Sequence, residues 1–155
     1  MADVDRGAPG AAELDLAIPD DEVVYRRLKR GDADWIFVDS ITGARRPTSG
    51  AFLPDEDGVS VYRFSVLKDN GLSASALIRE PDNQIASVEV GDVRTIEGLD
   101  VHDDPWPPGT EHDEPDHLRH AAHALIVGWD GLSRKARYRA QKAIATLPSM
   151  QIVYV

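Results

Sequence analysis

The sequence predicts a single α+β domain: a mixed or antiparallel sheet of about five strands, one long C-terminal amphipathic helix, and two or three short helices. Three observations carry this. Short runs of β-branched and aromatic residues, bounded by Asp, Gly, Asn and Pro, recur along the chain and read as strands. One stretch, Leu132 to Leu147, instead sustains a helical apolar period. The 155 residues, 42% of them apolar, are enough for one continuous core and show no internal repeat.

In chain order, residues 1–19 are expected to be a disordered leader, although the alternation in Leu14–Ile18 would let it add a strand at a sheet edge. The folded domain is expected over 20–155. Asp20 and Asp21 precede Glu22, Val23, Val24, Tyr25 and Leu28, which reads as an N-capped short helix ending near Gly31. Trp35 to Val38 is expected to be a core strand. The following Ser40–Gly58 segment, rich in turn residues, is expected to be an ordered loop or irregular edge that turns at Asp57 and Gly58 into a second strand through Val59, Val61, Phe64 and Val66. Leu72, Ala76 and Leu77 suggest a short helix, with Asp69 or Asn70 as caps and Pro81 as a stop. Ile85, Val88 and Val90 suggest a third strand, Gly91 to Ile96 a helical turn, and Leu99 to Val101 a fourth strand.

Asp103 to Pro115 must be a loop, since Pro105, Pro107, Pro108 and Pro115 lack amide donors. His123 to Gly128 reads as a buried strand. In the long helix, Leu132, Ala136, Ala140, Ala143, Ile144 and Leu147 form one stripe, with Arg134, Lys135, Arg137, Arg139 and Lys142 on the other faces. Pro148 ends it, and Gln151–Val155 is expected to be a strand paired inside the sheet.

Composition narrows the chemistry. The chain has no cysteine, which excludes disulfides, thiolate metal sites and thiol catalysis. No apolar run reaches the roughly 20 residues of a membrane span, and no basic-then-apolar signal segment opens the chain, so a cytoplasmic location without membrane contact is expected. The net charge of −10 is lopsided: the acids lie almost wholly before His117, and six of the 17 bases lie beyond Asp116. An acidic surface of this kind repels nucleic acid, so nucleic acid is not the expected partner of the basic helix.

All five histidines fall between His102 and His123. His117, His120 and His123 recur every third residue beside Asp113 and Asp116. On a helical turn they would offer imidazole and carboxylate ligands to Zn²⁺ or another divalent metal, with His117, His120, His123 and Asp116 as the set. The contrasting reading is a solvated acidic loop and no cofactor. His123, at the mouth of an expected core strand, is the candidate general base, with Ser49 as a nucleophile and Asp116 behind it. Arg45 and Arg46, next to Thr48 and Ser49, form a candidate anion or acidic-peptide site, unless Asp39 or Asp55 neutralises them. Trp106, among prolines, is a candidate anchor for a protein partner.

The segments RRPTSGAF (Arg45–Phe52), SVY (Ser60–Tyr62), DDP (Asp103–Pro105) and HALIVG (His123–Gly128) resemble a group of small bacterial proteins with an RPxSxAF-like turn, an SV strand and a late HAxxxG strand. The resemblance spans about Asp20 to Leu147. It implies one compact domain and no established activity. Two functional classes follow from the residues. The first is a small acidic binding or accessory module working through protein–protein contacts. The second is a metal-dependent or His-assisted hydrolase that uses the segment 112–123.

Overall fold

The computed structural model describes residues 17–28, 35–80, 83–105 and 121–153. The architecture is α+β. Six strands form one antiparallel sheet: β1 (Val23–Leu28), β4 (Val59–Arg63), β5 (Gln84–Glu89), β6 (Asp100–Asp103), β7 (His123–Val127) and β8 (Gln151–Val153), in the spatial order β6-β7-β4-β1-β5-β8. A separate two-stranded ribbon pairs β2 (Ile36–Val38) with β3 (Arg45–Pro47). The described residues include the helices α1 (Phe64–Asp69), α2 (Val90–Arg94) and α3 (Arg134–Ala145).

Both faces of the sheet carry apolar cores. On one face Val24, Leu28, Val59, Val61, Ala86, Val88, Ala124 and Ile126 meet Ala140 and Ile144 of α3, Val93 of α2, and Phe52. On the other, Tyr25, Tyr62 and Ile85 meet Leu67 of α1 and Leu77 of a 3₁₀ turn, Ala74–Leu77. Each of the Val, Leu, Ile and Phe side chains contributes roughly 1.5–3 kcal/mol by leaving water, and the alanines less.

This two-sided burial explains the main correction. The helix expected from Asp20 is instead the strand β1 over Val23–Leu28, next to the middle of the sheet, and residues 29–31 lie outside the described residues. A strand covered on both faces loses the apolar–polar alternation by which strands are recognised, and the two aspartates before it mimic a cap. Asp20 instead binds Arg94, Nη1 to Oδ1 at 2.7 Å. The expected core strand at Trp35–Val38 is a ribbon strand with Phe37 and Val38 exposed. The Val59 strand stops at Arg63, and Phe64 and Val66 belong to α1. Asp69 ends that helix and does not cap the next one, which is the Ala74–Leu77 turn. The C-terminal strand β8 lies at the sheet edge, paired only with β5. Of the leader, residues 1–16 lie outside the described residues; Ala17 bridges His102 and Ile18 is buried in the first core.

The late strand and helix form as the sequence indicates. Ser133 caps α3 by accepting the Ala136 amide at 3.1 Å. Gly128 ends β7 at φ +109°, where a Cβ would lie 1.9 Å from the Gly98 carbonyl oxygen. Only glycine fits there.

The β1–β4 ladder is short, with Val24 opposite Arg63 and Tyr25 opposite Tyr62, whereas β1 and β5 pair along the whole of β1. Beyond Tyr25 the guanidinium of Arg26 takes over, donating from Nη1 to the Ser60 carbonyl at 3.0 Å and from Nε to the Ala51 carbonyl at 3.1 Å. At the other end Glu22, Arg63 and Asp103 form an ion-pair row with both N–O distances at 3.0 Å, and Ser65 hydrogen-bonds Glu22.

Among the described residues no helix is long and apolar enough to cross a membrane.

Candidate functional site

The β2–β3 ribbon presents Arg45 and Arg46. At its base Ile36 packs partly against the first core and Pro47 is buried. The Thr48 amide donates to the Trp35 carbonyl at 3.0 Å, and the Trp35 ring lies under the Arg26 guanidinium at 5.3 Å. Burial pulls Arg26 down to about 10, with Tyr62 and Asp55 pushing back and Arg27 adding to the fall. The tip is closed by Asp39: its Oδ1 accepts the Ile41 amide at 2.8 Å and the Thr42 amide at 3.0 Å, and its backbone bonds to Gly43 and Ala44. Those amides, with help from Arg46, hold the Asp39 carboxyl below its ordinary value.

Between base and tip the side chains of the ribbon are exposed, while β3 runs beside the edge strand β8. Phe37 is 44% exposed, Val38 51% and Ile41 92%. Arg46 stands opposite Phe37, its guanidinium 4.9 Å from the ring centroid, and Arg45 stands opposite Val38. Neither arginine makes an ion pair or hydrogen bond among the described residues. The acids that could have neutralised them are engaged in turns: Asp39 as above, and Asp55 through Oδ1 with the amides of Asp57 and Gly58. The result is an unpaired cationic pair beside an exposed apolar row on a braced ribbon. Arginine and aromatic residues are enriched where proteins bind one another.

The second place of interest is His123 on β7. Its ring is 1% exposed as a residue and meets Tyr62 edge-on at 5.5 Å. Nδ1 lies 2.9 Å from the Asp104 carbonyl oxygen and 3.2 Å from Asp104 Oδ2. Two acceptors there require Nδ1 to carry a proton, so in the neutral ring Nε2 accepts from Ser60 Oγ at 3.1 Å. Serine, histidine and aspartate are thus in line, with Ser60 in place of Ser49 and Asp104 beside Nδ1. Ser49 opens a 3₁₀ turn, Ser49–Phe52, packed near α3, where its carbonyl accepts from Gln141 Nε2 at 3.1 Å. The ring is buried, and the chain of bonds pins β4, β7 and the end of β6 together. The pin unites SVY, DDP and HALIVG, three of the four segments singled out in the sequence.

Both nitrogens of His123 are engaged in these bonds, so a metal would have to displace one. Trp106, Asp113, Asp116, His112, His117 and His120 lie outside the described residues. Among the described residues no group of three or more His, Asp or Glu side chains is placed to hold a metal ion.

No family model, curated protein or solved structure matches the chain.

Sequence inspection picked out the segments that hold Ser60 and Asp104 but gave the two residues no role, because only the register brings them to His123. It missed Phe37, Val38 and Ile41 as surface residues for a different reason. A strand-forming apolar run looks the same whether it enters the core or leaves it.

Proposed function

We propose that the chain is a small binding module that docks an acidic, apolar-bearing segment of another protein on the β2–β3 ribbon. The observation that carries this is the unpaired Arg45–Arg46 pair beside exposed Phe37, Val38 and Ile41. In a chain of net charge −10 a cationic pair that makes no ion pair among the described residues selects locally for carboxylates, and the apolar row adds area to bury. A braced ribbon loses little freedom on binding, which lowers the cost of association.

The test is fluorescence anisotropy with a labelled peptide of alternating Glu and Leu/Phe, against a peptide with Lys in place of Glu. The acidic peptide is expected to bind, more weakly as salt rises, and the basic one not to bind. Arg45→Ala with Arg46→Ala should weaken binding about tenfold, since each charged contact of this sort is worth about 0.2–1 kcal/mol and the apolar contacts are disturbed with it. Phe37→Ser should weaken it without lowering the melting temperature. Equal binding of both peptides, or indifference to the arginine changes, would sink the proposal.

A further inference from the structure

A groove of about 520 Å³ opens on the face of the sheet that carries the second core, between the start of α1 and the edge strand β8. Its floor is one cross-strand row, Tyr25 on β1, Ser87 on β5 and Gln151 on β8, held opposite one another by the register. Val23, Phe64, Met150 and Val153 supply apolar walls. The size lies within the range of roughly 300–1,000 Å³ usual for small-molecule sites.

Two features separate this groove from a gap in packing. Tyr25 is 8% exposed and Ser87 4% exposed, yet neither hydroxyl has a hydrogen-bond partner among the described residues. Neither hydroxyl is among the fully buried polar atoms, so both reach the solvent of the groove and can bond an occupant of it. Burial pushes the Tyr25 hydroxyl up, which keeps it a donor at neutral pH. The second feature is charge. Among the described residues Glu89 is the one ionisable carboxylate along the lining, it is exposed and makes no ion pair, and no arginine or lysine lines the groove. The Lys68 ammonium lies over the Phe64 ring at 6.0 Å without lining it. An anion would meet repulsion here, whereas an amine would meet a free carboxylate.

We propose that this groove binds a small organic amine. Its apolar body lies on Phe64, Met150 and Val153, the Tyr25 and Ser87 hydroxyls take its polar atoms, and its ammonium faces Glu89. This site is separate from the ribbon, and neither proposal depends on the other.

The experiment is an NMR titration of the full chain with three molecules sharing one aromatic body: tryptamine, tryptophol and indole-3-propionate. Saturable shifts at Tyr25, Ser87 and Val153 are expected, with tryptamine tightest and the propionate weakest. Glu89→Gln should weaken tryptamine about threefold, to the level of tryptophol, and leave tryptophol unchanged. Tyr25→Phe, which keeps the ring packed on Phe64, should weaken both about three- to tenfold. No saturable shift at millimolar ligand overturns the proposal. So does the propionate binding as tightly as tryptamine, or indifference to both substitutions in variants whose spectra show the native fold.

Discussion

His123 shows how one buried polar side chain can organise a junction. It sits where β7 begins and β6 ends, and its ring bonds Asp104 on one side and Ser60 on the other. Because the ring itself is buried, removing one of these partners weakens the satisfaction of a buried polar group. Ser60→Ala is expected to cost about 1 kcal/mol in urea unfolding, and His123→Ala about 2–4 kcal/mol, since it also opens a cavity beside Tyr62. The double variant should cost less than the sum, because the bond is lost only once. Strict additivity would show that Ser60 and His123 do not bond in solution. A histidine before a strand is visible in any sequence, but its partners are not. They become neighbours only through the pairing of Tyr62 with His123 and of Asp103 with Ala124.

Elements with one dominant face were legible in the sequence. The α3 stripe and the strand ended by Gly128 follow from local chemistry, and both are present; the Ser133 cap was not picked out. Elements whose environment is set by distant chain were not. β1 is covered on both faces, β2 leaves the sheet altogether, and α1 begins one residue after β4 with no punctuation between Arg63 and Phe64. Of the candidate site, Arg45 and Arg46 were legible as a cationic pair, but their lack of partners depended on Asp39 and Asp55 being taken up by turns. α2 is tied to β6 in a comparable way. Arg94 Nε bonds Asp100 Oδ1 at 2.7 Å, and Nη1 bonds Asp20 at the same distance. Burial works to raise the Asp100 carboxyl, but the Arg94 hydrogen bond and the Val101 amide outweigh it and hold the group below its ordinary value. The folded state therefore favours the ionised form. That stabilisation is complete above the ordinary carboxyl pKa of about 4 and is lost as pH falls through the lower folded value. Asp100→Asn should flatten the loss of melting temperature below about pH 4 while also lowering stability at pH 7. An unchanged acid limb would assign that slope to other carboxylates.

At the scale of the whole molecule, the two proposed binding regions are built on different supports. The ribbon stands outside the main sheet, anchored by Trp35, Ile36 and Pro47, so residues at its surface can change without touching either core. The groove is floored by the sheet itself and shares Tyr25 with the second core.

The two-pair ladder between β1 and β4 gives the sheet a weak line. On one side lie β6, β7 and β4; on the other lie β1, β5 and β8. Each group has longer ladders within it, so the amides in the two groups are expected to exchange with deuterium as two cooperative blocks with different protection, the boundary falling at Tyr25 and Tyr62. Arg26 is the rivet across that boundary. Arg26→Lys keeps the charge but cannot reach Ser60 and Ala51 with the same fork, and should speed exchange on both sides of the line while sparing the outer ends of β5 and β7. A single uniform protection profile would mean that the sheet opens only as a whole.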